Sequence, residues 1–314
     1  MSAPLPPFRF GIQCSSPPDI TATSWRALAR KVEDLGYFRL TVSDHLDDQL
    51  APVAALTSAA DATSTLRVGA LVFCNDYRHP AVLAKEAATL DILSEGRFEL
   101  GMGAGWMTTD YHRAGITMDP PSVRIARLEE ALHVVEGLLS DGPCHFSGEF
   151  YEIDGLNGSP KPVQRPLPIL IGGGGRKVLE LAGRHAHIVG LNPKLPNGVI
   201  DAAAGPDGTV AATERKIGWI RNAAGDRFDE IELHTRIHLA LVTDDRAGMA
   251  EALAPAFGLA PADALASPHA LAGTVDEIVD DLLHRRERFG IASIGLSLDA
   301  MEAMAPVVAR LADA

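Results

Sequence analysis

The sequence predicts an α/β protein: one (β/α)8 TIM barrel with insertion segments, a single domain over residues 1–314. Eight short apolar runs recur along the chain, at 8–13, 38–46, 66–73, 97–105, 167–172, 186–191, 231–242 and 291–298. Nearly every run is followed by a stretch of helical periodicity, the crossover that parallel strands require. No break in composition divides the 314 residues, and a closed barrel of eight units fits that length. An open doubly wound sheet is the alternative.

The elements follow in order. "FRFGIQ" (8–13) is a strand, and the next stretch sets Trp25, Leu28, Val32 and Leu35 at helical spacing with Gly36 as the stop. "FRLTVSDHL" (38–46) is a strand with a polar end, followed by a helix over 52–63. "LRVGALVF" (66–73) precedes a helix over 79–96, with Pro80 early and Gly96 late. "RFELGMGAG" (97–105) is the fourth strand, and the helix over 120–139 carries Leu128, Leu132, Val135 and Leu139 on one face. "HFSGEFYEI" (145–153) breaks the rhythm, and Gly148 within it predicts an inserted hairpin. "LPILIG" (167–172) and "AHIVGL" (186–191) resume it, and 192–209, rich in Pro and Gly, reads as a loop. A helix over 210–224 leads to "IELHTRIHLALV" (231–242), the longest strand candidate. The segment 244–272 is helical but interrupted by Pro255, Pro261 and Pro268. Thr274 with Glu277 is a capping box for a helix over 274–290, and "IASIGLSL" (291–298) is the last strand before a short helix. The Pro-rich residues 1–7 are expected to be disordered.

Composition narrows the function. With 46% hydrophobic and 22% charged residues, the chain is an ordinary globular protein. A net charge of -13 argues against nucleic acid and anionic membranes as partners, because both need clustered Lys and Arg. No apolar run reaches membrane-spanning length, and "MSAPLPPFRF" lacks a secretory pattern. Cys14, Cys74 and Cys144 are odd in number with no C-x-x-C, so no disulfide framework or zinc knuckle is indicated and a reducing cytoplasm is the expected location. The 11 histidines contain no H-E-x-x-H, and no metal is expected; His185 with His187, and His234 with His238, read as packing or surface residues. The expected partner is a small-molecule substrate.

In a barrel the chemistry sits at the C-terminal strand ends. After the second strand come Ser43, Asp44 and His45; His45 suits proton transfer or a cofactor hydrogen bond, while Ser43 and Asp44 equally suit a helix N-cap. After the third come Phe73, Cys74, Asn75 and Asp76, where a turn and a small buried thiol are the simpler readings. After the fourth, Gly103 and Gly105 permit close backbone approach, by a ligand or by barrel packing, with Trp106 next. After the fifth, Gly172 to Gly175 lead into a helix near Arg176, where amide groups and a glycine nest could cradle phosphate, with charge from Arg176 and Lys177. Val178 after Lys177 rules out a Walker motif, no G-x-G-x-x-G supports a Rossmann site, and no G-x-S-x-G supports a hydrolase elbow.

At these residues the chain resembles a known family. "TVSDHL", "NDYRHPAVLAKEAATLDILSEGRFELGMGAGW", "PILIGGGGRKVLELAGRHAHIVG" and "GTVDEIVDDLLHRRERFGI" are similar to the luciferase-like monooxygenase superfamily, nearest to its actinobacterial coenzyme F420-dependent oxidoreductase branch. The resemblance implies a (β/α)8 barrel and a deazaflavin, coenzyme F420, or alternatively FMN, at the strand ends. It implies that Asp44 and His45 face the ring system, and that a bulge, often with a cis peptide, near Phe73, Cys74 and Asn75 backs it. It implies that the loop from Gly103 through Gly105 to Trp106 lines the pocket, and that Gly173, Gly174 and Gly175 hold the cofactor phosphate with Arg176 beside them. Related sugar-phosphate dehydrogenases carry a glutamate just after the fourth strand; here that place holds Trp106. The expected catalytic residues are therefore His45, for proton transfer, and Trp106, as a wall of the substrate pocket. The expected activity is F420-dependent hydride transfer to or from a small organic substrate. Alternatives are an FMN-dependent monooxygenase using oxygen and a non-catalytic flavin-binding protein. Homodimers are common in the family and are expected here.

Overall fold

Eight parallel strands close on themselves: β1 (Arg9–Cys14), β2 (Arg39–Val42), β3 (Arg67–Ala70), β4 (Phe98–Gly103), β5 (Ile169–Gly173), β6 (Ile188–Leu191), β7 (Glu232–Arg236) and β8 (Ile291–Ser297). Each pairs with its neighbours in chain order, and β8 pairs with β1 to complete the barrel. The structure is a computed structural model that describes residues 5–15, 20–195, 198 and 202–312. Helices flank the barrel as expected, and Thr274 and Glu277 cap each other at the start of the Val275–Phe289 helix. Ile12, Leu40, Leu100 and Ile171 are buried in the core. No helix among the described residues is long and apolar enough to cross a membrane.

Several elements depart from the sequence reading, among them Ala270–Gly273, a strand at the end of the stretch expected to be helical. The run 231–242 is two strands. After β7 the backbone hands over, with Ile237 N–H donating to Gly295 O and His238 N–H to His269 O. Leu239–Val242 then pairs with Ala270–Gly273 in a separate two-stranded sheet outside the barrel. The run 66–73 is interrupted by a cis Leu71–Val72 peptide, and Phe73–Cys74 resumes pairing beside β4. A short helix, Thr108–Ala114, follows β4; its only large apolar residue is Tyr111, too little for a periodic signal. The inserted hairpin is present as Cys144–Ser147 and Glu152–Leu156. The loop expected at 192–209 contains a 3-10 helix, Ala202–Gly208. Of the residues expected to be disordered, 1–4 lie outside the described residues, while Pro6 O accepts from Arg286 at 3.4 Å.

Across the strands, charge is built into the core. Arg39, 1% exposed, donates to Glu232 at 2.7 Å and to Ser293 at 3.1 Å, and lies 3.2 Å from Glu99. Arg67 pairs with Glu99 at 2.7 Å, and Arg9 with Glu232. Gly11 gives the Arg39 stem its space, since a methyl there would overlap Arg39 Cγ. Paired and hydrogen-bonded in this way, the charges avoid the penalty of isolated burial.

Candidate active site at the barrel mouth

The strands β2, β3, β4 and β5 are adjacent staves, so the loops after them form one arc of the mouth. Asp44 organises it from below. Arg78 donates to its two oxygens at 2.9 and 3.0 Å, and Cys74 N–H donates at 2.9 Å. Arg78 in turn covers the Phe73 ring at 4.8 Å. The next helix begins at Pro52 with Ala51 as its cap, so neither Ser43 nor Asp44 is an N-cap. The Asp44 side chain is 3% exposed, and its bonds tie β2 to the chain after β3.

His45 does reach the mouth. Its Nδ1 lies 2.7 Å from Asp110 Oδ2, and Tyr77 donates its hydroxyl to the same oxygen at 3.1 Å. Burial, with Cys74 and Asp110 close by, pushes the Tyr77 hydroxyl far above its usual range, so it remains a donor. A carboxylate on Nδ1 fixes the proton there and leaves Nε2 as the working nitrogen. Trp106 stands edge-on to His45, with ring centroids 5.4 Å apart. Asp110 and Tyr77 were not singled out by the sequence reading. The available signals were a carboxylate four residues past Trp106, and a tyrosine inside the stretch read as a turn.

Asn75 is buried; its Nδ2 donates to the Tyr151 hydroxyl at 3.2 Å, and its Oδ1 is buried without a partner. Asn75–Tyr77 forms a 3-10 turn, as turn chemistry predicts. Burial pushes the Cys74 thiol up to about 11, which makes it a packing residue rather than a nucleophile.

The glycines divide between packing and access. A Cβ on Gly103 would sit 2.6 Å from a Val72 methyl. Gly105 has φ +75, and a side chain there would overlap the Tyr111 hydroxyl. At both positions the missing side chain makes room for protein atoms. None of Gly172 to Gly175 has a positive φ, so the expected nest is not formed. Gly173 makes room for Val178, and a Cβ on Gly174 would lie 2.5 Å from Asn192 O and 2.6 Å from Lys194 N. Gly175 alone faces open space; it is the N-cap of the Arg176–His185 helix and offers no side-chain cap. The first amide groups of that helix are thus left to an external acceptor. Arg176 does not join them: its Nε donates to Glu180 at 2.7 Å on its own helix, and the side chain is 68% exposed.

From the opposite arc Arg236 donates to Gln13 and, at 3.3 Å, to Ser297, while its Nε is buried without a partner. Gly198, after β6, packs against Trp106 O and Thr108, on the His45 side of the mouth.

A family model described as luciferase-like monooxygenase matches residues 7–278. The F420-dependent glucose-6-phosphate dehydrogenase of Amycolatopsis mediterranei is 31% identical over 164 residues, 50% of this chain and 49% of the relative. The protein of the same name from Nakamurella multipartita is 29% identical over 256 residues, 78% of this chain and 71% of the relative. The matched region thus spans about half the length of the first relative and more of the second. Among solved structures, the coenzyme F420-dependent tetrahydromethanopterin reductase of Methanopyrus kandleri superposes with a TM-score of 0.74 at 20% identity, covering 96% of this chain and 98% of that one. A long-chain alkane monooxygenase superposes at 0.75 and 16% identity, covering 98% and 91%. At such identities the superpositions establish the barrel.

Proposed function

The chain belongs to the luciferase-like monooxygenase family, and on that premise we propose that it is an oxidoreductase that uses coenzyme F420 to transfer hydride to or from a small organic substrate. The observation that carries this reading is His45, held by Asp110 at 2.7 Å and set edge-on to Trp106 at the mouth. Reduction of a carbonyl-type substrate adds a hydride to carbon and a proton to oxygen; oxidation removes both. His45 Nε2 serves the proton in either direction, and Asp110 stabilises the imidazolium when the ring is charged.

The residues present fit the cofactor. The uncapped helix start at Gly175 suits its phosphate, and the unpartnered Oδ1 of buried Asn75 suits a ring N–H donor. Bound there, the deazaflavin supplies a two-electron hydride donor or acceptor. The protein's own part is to bind, orient and exclude water. Asp44 and Arg78 hold the chain behind the pocket, and Trp106 walls the substrate against His45. Names of relatives at 31% and 29% identity support F420 over FMN.

The test is a screen of alcohols, aldehydes and ketones run twice: anaerobically with F420, its oxidation state followed by absorbance, and in air with F420 or FMN, with oxygen uptake measured. Hydride exchange without oxygen consumption is expected for at least one substrate class. Turnover that requires FMN and oxygen would replace this reading with a monooxygenase.

A further inference from the structure

We propose that His133, Glu136 and His185 form a site for one divalent transition-metal ion, zinc in the first instance, on the outside of the barrel. Among the described residues this is the one group in which three such side chains bring donor atoms within 4.8 Å of one another. His133 and Glu136 lie one turn apart on the Pro121–Leu139 helix, the spacing that puts two side chains on one face. His185 is the last residue of the Arg176–His185 helix beside it.

The donors are already held. His185 Nδ1 lies 3.1 Å from Glu136 Oε1, and the His133 and His185 rings meet edge-to-face at 4.9 Å. His133 also stacks on Phe146 of the hairpin, with centroids 6.0 Å apart. Arg184, next to His185, turns away to Glu129 at 2.6 Å, and Arg227 spends its guanidinium on the carbonyls of Gly183 and Ala186 at 2.7 and 2.8 Å. Two imidazoles and a carboxylate are ligands that zinc accepts readily, with water completing the shell. The Pro121–Leu139 helix ends three residues after Glu136, and a cation is favoured at a helix C-terminus.

Two residues separate His185 from the start of β6, so the site lies at the N-terminal end of the barrel, opposite the mouth. That end of such barrels serves stability. The ion would cross-link two outer helices that already meet through the Arg184–Glu129 and His185–Glu136 pairs. Sequence spacing did not reveal it, because the third ligand comes from a helix about fifty residues away and no metal motif spans that gap.

The experiment uses the full chain without a histidine tag, stripped with chelator and titrated with zinc by calorimetry. One ion per chain at micromolar affinity or tighter is expected, with a rise in melting temperature. His133→Ala and Glu136→Gln should each weaken binding at least tenfold and abolish the rise, while His284→Ala, an exposed histidine elsewhere, should change neither. Cobalt added to the wild-type chain should give visible bands that zinc displaces, which keeps the test open if a variant folds poorly. No uptake, no cobalt bands, or equal binding by wild type and His133→Ala, meaning an adventitious ion only, would overturn the site.

Discussion

Replacing Gly175 by Asp should raise stability and lower cofactor affinity together. Gly175 sits at φ -86, ψ 151, which any residue adopts, and its Cβ would meet nothing within 4 Å. Asp is a better N-cap than Gly by a few tenths of a kcal/mol, and a negative charge at a helix start adds about 0.3–1 kcal/mol. At ~2.1 cal/mol/K per residue over 314 residues, the combined gain is a melting shift of about 1–2 °C. The same carboxylate occupies the amide groups offered to phosphate. Losing one charge-assisted hydrogen bond costs about 1.5–3 kcal/mol, so affinity should fall roughly tenfold to a hundredfold. Gly175→Ala is the control: it leaves the amide groups open and should keep the cofactor within about threefold. Calorimetric melting and fluorescence titration read the two effects. A Gly175→Asp protein that melts higher yet binds F420 as tightly as wild type would refute the assignment of phosphate to this helix.

Other expectations follow from the buried charges. Asp110→Asn should leave cofactor affinity within about threefold and slow turnover by about tenfold or more, because the amide no longer holds the His45 proton on Nδ1; unchanged turnover would remove Asp110 from the mechanism. Gly11→Ala should cost about 2–3 kcal/mol in urea unfolding, since the methyl forces the Arg39 stem out of its ion-pair geometry, and a change below ~1 kcal/mol would show that the core relaxes around it. Stability should also decline with acid. Burial lowers His234 and His269 to about 3, so the unfolded chain protonates at its ordinary pH while the folded one does not, and stability falls as pH drops below ~6.5. Burial alone would raise Glu232, but Arg39 and Arg9 hold it at about 2; its contribution is full above about pH 4.5 and is lost as pH falls from there. A melting temperature level between pH 7 and 4 would contradict this.

The barrel is legible in the sequence because each strand is a short apolar run and its helix carries an independent periodicity. The capping box at Thr274 and Glu277 is legible because both partners lie within four residues. What escapes is what depends on distant partners. Whether Asp44 faces a ligand or binds Arg78 is decided by a residue 34 positions on, and the His45–Asp110 pair spans 65 positions. Three glycines that look alike in the sequence prove to differ: Gly103 admits Val72, Gly105 admits Tyr111, and only Gly175 is open. Local pattern marks where side chains are missing, and only packing tells what fills the space.

On the proposed reading, the mouth between β2 and β5 holds a deazaflavin. The most direct measurement is titration of the purified chain with coenzyme F420 and, separately, FMN, followed by fluorescence. Saturable F420 binding at micromolar affinity or tighter, weakened by Gly175→Asp, with FMN at least tenfold weaker, is the predicted result. Tight FMN binding with no saturable F420 binding would contradict it.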